Sequence, residues 1–96
     1  MIEYVTSVED VDLDDLDGFF VGWPSKPSKA SHLELLRRSE RVVLARETES
    51  RRIVGFVSAV GDGVLTAFVP LLEVLPEHQG QGIGTELMRR VLALLE

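Results

Sequence analysis

Three glycines at alternate positions, Gly80, Gly82 and Gly84, stand between an apolar run ending at Val74-Leu75-Pro76 and a strongly amphipathic segment that begins at Ile83. This is the pattern of a strand feeding a phosphate-cradling turn. Residues without Cβ let successive backbone N–H groups turn toward one point, and the helix that follows adds its unpaired N–H groups and its positive dipole end, an arrangement suited to a pyrophosphate. Two other glycine motifs are excluded. A dinucleotide-binding turn needs Gly-x-Gly-x-x-Gly and an acidic residue about twenty positions on, but Gly80 and Gly82 are followed by Thr85 and the sequence ends at Glu96. A P-loop ends in Gly-Lys-Ser/Thr, and no lysine follows Lys29.

The elements that position this turn are legible as periodicities. Ile2 to Thr6 alternates as a first strand, and Ser7, Glu9 and Asp10 offer caps for a helix expected from about Val8 to Phe20, with Val8, Val11, Leu16, Phe19 and Phe20 as its apolar stripe. Trp23-Pro24-Ser25-Lys26-Pro27-Ser28-Lys29 excludes regular structure and reads as a surface connection. Ser31 and Glu34 form a capping box for a short helix reaching about Ser39. Val42 to Arg46 and Ile53 to Val60 are β-branched runs joined by a polar turn, and Gly61-Asp62-Gly63 leads to a further strand, Val64 to Val74. Pro70 interrupts it and implies a bulge, an edge or a break. From Ile83 onward, Leu87, Met88, Val91, Leu92 and Leu95 repeat every three or four residues, predicting a helix of about fourteen residues and about 21 Å. Strand, helix, helix, three strands, helix is an α+β order with a mainly antiparallel sheet.

Bulk properties narrow the classes. Ninety-six residues make one small domain, and 45% apolar with 27% charged residues is an ordinary globular balance. With no cysteine there is no disulfide, thiolate metal site or cysteine nucleophile. His32 has no second ligand at metal spacing, so no metal is expected. A net charge of −6 argues against nucleic acid as a partner. The carboxylates between Glu9 and Asp17 either complement a helix start or steer a cationic amine. The N-terminus has no signal-peptide pattern and no apolar run is long enough to span a bilayer, so the expectation is a cytoplasmic protein without a membrane partner.

The spacing Gln79-x-x-Gly82-x-Gly84, behind Val74-x-Pro76-Glu77, resembles the acyl-coenzyme A signature of the GCN5-related N-acetyltransferase (GNAT) family. The stretch from about Leu71 to Leu95 is similar to that family's fourth strand and third helix. The resemblance implies the acyl-CoA N-acyltransferase fold, with helices on both faces of the sheet, present here without its C-terminal strands and helix. A single N-acetyltransferase domain over residues 1–96, truncated after the third helix, is therefore expected. It implies a chain that moves an acetyl group from acetyl-CoA to a primary amine by direct attack, with the amides of Gln79, Gly80, Gln81, Gly82, Ile83, Gly84 and Thr85 on the pyrophosphate. The backbone of Glu73 and Val74 would pair with the pantetheine arm. Glu73 is the candidate general base, whereas His78 reads as a surface residue of the turn. Trp23 is the candidate wall of the acceptor pocket, and Phe19 and Phe20 read as core. The family's usual tyrosine acid has no counterpart, since Tyr4 is far from the matching position. The exposed fourth strand suggests a homodimer. The alternative is a non-catalytic acyl-CoA binding or interaction module of the same fold.

Overall fold

The structure is a computed structural model and describes residues 1–62, 64 and 67–95. Four antiparallel strands lie in sequence order: β1 (Ile2–Val5), β2 (Arg41–Glu47), β3 (Ile53–Gly61) and β4 (Ala67–Val74). The β-branched runs of β2 and β3 occupy the centre, where both faces are covered, so Val43, Leu44, Ala45, Val54, Phe56 and Val57 are all buried. β1 and β4 are the edges. Pro70 sits in edge strand β4, where the register against β3 shifts between Ser58 and Val60, so bulge and edge coincide.

Two helices follow the strands' alternation to opposite faces. Gly55 and Phe56 are neighbours on β3 and point to opposite sides. On the Gly55 side lies α2 (Ile83–Leu94), which buries Ile83, Leu87 and Val91. On the Phe56 side lies α1 (Lys29–Arg38), whose His32 ring is 4.5 Å from the Phe56 ring, with Phe19 and Phe20 packed edge-on around the pair. The sheet is thus sandwiched, with helices on both faces.

Two expectations need correction. The helix expected over Val8–Phe20 does not form; residues 7–28 run as turns, with a single 3-10 turn at Leu13–Leu16. Asp12, Asp14, Asp15 and Asp17 have poor helix propensity and pair elsewhere instead. The Asp12 amide donates to the Asp15 carboxylate at 2.9 Å, Asp17 meets Lys29 at 3.3 Å, and Asp10 meets Arg46 and Arg51. The apolar stripe is real, because Val11, Leu16, Phe19 and Phe20 are buried, but turns deliver it. The second helix begins earlier than Ser31. Ser28 is its cap, accepting from the Ser31 amide at 3.0 Å, while Glu34 pairs with Arg38 rather than closing a capping box. The turn expected at Gly61-Asp62-Gly63 and the start of the following strand lie partly outside the described residues.

Candidate functional site

The glycine turn joins β4 to α2 through a short 3-10 turn, Pro76–His78. Gly80 and Gly82 both adopt left-handed backbone, with φ of 81° and 85°, and Gly82 is the residue that opens α2. A Cβ built at either position meets nothing within 4 Å, so these glycines are required by backbone conformation and leave open space over the turn. Among the described residues, none of the amides from Gly80 to Thr85 donates a hydrogen bond; the first amide of the helix that does is Glu86, to the Gly82 carbonyl at 3.0 Å. These free donors stand at a helix N-terminus beside a cavity of about 300 Å³, an arrangement whose chemistry suits an anion. His78, Gln79, Val74 and Thr85 line that cavity with the glycines.

The turn is braced from below. The Gln79 side chain donates to the Val74 carbonyl at 3.0 Å, closing the strand end against the turn. Arg52 pairs with the Glu77 carboxylate at 3.3 Å and donates to the Asp17 carbonyl at 3.4 Å, tying the 3-10 turn to the loop at Asp17. Gly55 allows α2 to approach closely: a Cβ there would stand 3.1 Å from Leu87, 3.2 Å from the Glu73 carbonyl oxygen and 3.3 Å from Ile83. This close approach sets the mouth of α2 against β4.

A second cavity, about 390 Å³, runs along β4 toward the turn. One wall is Pro70 to Pro76 with Gln79; the other is Gly18, Phe19, Val21 and Trp23. Glu73 therefore lines the cleft, on the same sheet face as Phe56, its register partner, and opposite to Leu72 and Val74. One of its carboxylate oxygens accepts the Phe20 amide at 2.9 Å. Trp23 lines the cleft with 45% of its surface exposed, whereas Phe19 and Phe20 are buried. β4 is the last strand of the sheet, so its outer backbone faces no other strand among the described residues.

The remaining titratable candidates fall away from this chemistry. Burial among Phe19, Phe20 and Phe56 holds the His32 imidazole down to about 4, and its Nε2 has no partner. Tyr4 lies on the α2 side beneath the Arg90 guanidinium, 4.5 Å from its ring centre, remote from the cleft. No group of three or more His, Asp or Glu suited to a metal occurs among the described residues. No helix among them is long and apolar enough to cross a membrane. The Glu73 link to Phe20 has no signature in the sequence, since its partners are 53 positions apart.

Comparison with known proteins identifies the family. The family model described as acetyltransferase (GNAT) family matches residues 8–96. An uncharacterized N-acetyltransferase, ycf52-like, of Prochlorococcus marinus is 32% identical over 97 residues, covering 95% of this chain and 52% of that protein. A crystal structure of a proposed acetyltransferase from Deinococcus radiodurans R1 matches at 44% identity with a TM-score of 0.94, covering 99% of this chain and 66% of that one. A GNAT family acetyltransferase from Brucella melitensis, solved in complex with acetyl-CoA, shares the fold at a TM-score of 0.71 and 19% identity, covering 99% of this chain and 68% of that one. The chain spans about half the length of the curated relatives it matches. With its strand-turn-helix site and a family match over nearly all its residues, the chain belongs to the acetyltransferase (GNAT) family.

Proposed function

We propose that this chain belongs to an N-acetyltransferase that moves an acetyl group from acetyl-CoA to a primary amine by direct attack of the amine on the thioester carbonyl. The observation that carries the reading is the row of free amides from Gly80 to Thr85 at the mouth of α2, beside the end of an edge strand. The amides hold the pyrophosphate, and the outward-facing backbone of β4 at Val74 takes the pantetheine arm as an added strand; the Glu73 backbone, expected to share that role, faces Phe56 of β3 instead. The Gln79 side chain already occupies the Val74 carbonyl, so it orients the strand end at which that arm leaves the turn. In this reading the thioester lies along β4 at the cleft lined by Trp23, Val21 and Glu73.

The amine must lose a proton as its nitrogen bonds to the carbonyl carbon and the carbon–sulfur bond breaks. Glu73 is the carboxylate of the cleft, and its second oxygen has no hydrogen bond to any described residue, so it is the group proposed to receive that proton. Titration calorimetry with coenzyme A, followed by thiol release from acetyl-CoA in the presence of a panel of primary amines, tests the reading. Saturable binding with amine-dependent thiol release supports it; binding without release favours a non-catalytic acyl-CoA module, and no binding removes both.

A further inference from the structure

The corner between residues 18 and 23 is held in an unusual conformation. Phe20 has φ of 63°, a left-handed backbone that a bulky aromatic residue rarely takes and that persists only where its surroundings hold it. Its ring is buried among Trp23, His32 and Phe56, with centroids 4.9, 4.9 and 6.1 Å away. Its carbonyl accepts the Trp23 amide at 3.2 Å, closing a tight turn, and its own amide donates to Glu73 Oε1 at 2.9 Å. That last bond ties the turn carrying Val21 and Trp23 to the strand across the cleft.

We infer that Glu73 is a positioning residue for the far wall of the cleft: by accepting the Phe20 amide it fixes where Val21 and Trp23 stand opposite β4. The description of that wall as the acceptor wall rests on the acyl-transfer reading above; the clamp itself does not. A carboxylate oxygen and the oxygen of a carboxamide accept an N–H equally well in geometry, whereas a methyl group cannot. Glu73→Gln therefore keeps the clamp and removes the charge, while Glu73→Ala removes both.

Trp23 is the chain's single tryptophan, so its emission reports on this turn alone. The test measures amide hydrogen exchange at Phe20 and acrylamide quenching of Trp23 in the wild type and both variants, with exchange at Val57 in β3 as the control for global folding. The expected result is that Glu73→Ala speeds Phe20 exchange tenfold or more and opens Trp23 to quencher, that Glu73→Gln restores both to within about threefold of the wild type, and that Val57 is unmoved. Unchanged exchange and quenching in Glu73→Ala, or failure of Glu73→Gln to rescue, overturns the inference. Should Glu73→Ala not fold, the wild type decides: a scalar coupling across the hydrogen bond between the Phe20 nitrogen and the Glu73 carboxyl carbon is expected, and its absence refutes the clamp. Coenzyme A titrated into the same samples separates the two claims, because loss of coenzyme A binding in the wild type sinks the acyl-transfer reading and leaves the exchange result standing.

Discussion

Replacing Gly55 by alanine adds one methyl group at the point where α2 leans on the sheet. That methyl would meet Leu87 Cδ1 at 3.1 Å, the Glu73 carbonyl oxygen at 3.2 Å and Ile83 Cγ2 at 3.3 Å. All three distances are shorter than ordinary carbon contacts, and the carbonyl belongs to the backbone of β4, which is hydrogen-bonded to β3 and cannot step aside. Overpacking of this kind costs about 1–3 kcal/mol. Alanine recovers about 0.4–1 kcal/mol by restricting the unfolded chain. The net expectation is a loss of about 1–2 kcal/mol, read as a fall in Tm of about 4–16 °C for a domain of this size. Circular-dichroism melts and urea unfolding with an unchanged m-value measure it. Because Ile83 is the first residue of α2, relief of the clash lifts the mouth of the helix away from β4, so coenzyme A affinity falls as well. A Gly55→Ala protein as stable as the wild type would refute the claim that close approach at Gly55 seats the helix.

Other consequences are open to direct measurement. His32 titrates near 6.5 when unfolded and about 4 when folded. Above pH 6.5 neither state holds the proton. Between 6.5 and about 4 the unfolded chain takes it up and the folded chain does not, so stability falls as pH falls, by about 1.4 kcal/mol per unit at most and about 3 kcal/mol across the window. His32→Leu removes this slope in pH-dependent urea titrations and, since the buried Nε2 has no partner, leaves neutral-pH stability nearly unchanged. Gly84 has ordinary backbone, and a Cβ there would touch only Val74 at 3.7 Å, so Gly84→Ala keeps or raises Tm, with a gain of up to about 1 kcal/mol. Gly82→Ala, forced to φ of 85°, lowers stability by about 1–2 kcal/mol in the same melts.

The site was legible where its physics is local. The glycine turn, the amphipathic α2 and the β-branched strands β2 and β3 are each written in consecutive residues, and even the irregularity at Pro70 follows from one missing N–H. The segment from Val8 to Phe20 departs from the helical expectation because burial and helicity are separate facts. Its apolar residues do face the core, but four aspartates over Asp12 to Asp17 favour side-chain to backbone bonds over a helical ladder, and a stripe carried by turns looks like a stripe carried by a helix. The cap at Ser28 rather than Ser31 shows the same limit, since both serines precede apolar positions and only packing chooses between them. The Glu73 to Phe20 bond and the Arg52 to Glu77 brace join distant positions, so no local pattern announces them.

The central claim is that backbone amides at the mouth of α2 bind a pyrophosphate, and their own resonances test it most directly. On titration of coenzyme A into the isotopically labelled protein, the amide proton signals of Gly80 to Thr85 are expected to move downfield together and saturably, as N–H groups do when they gain a charged acceptor. Signals in that stretch that stay fixed, or saturable shifts confined to another part of the chain, would contradict the account.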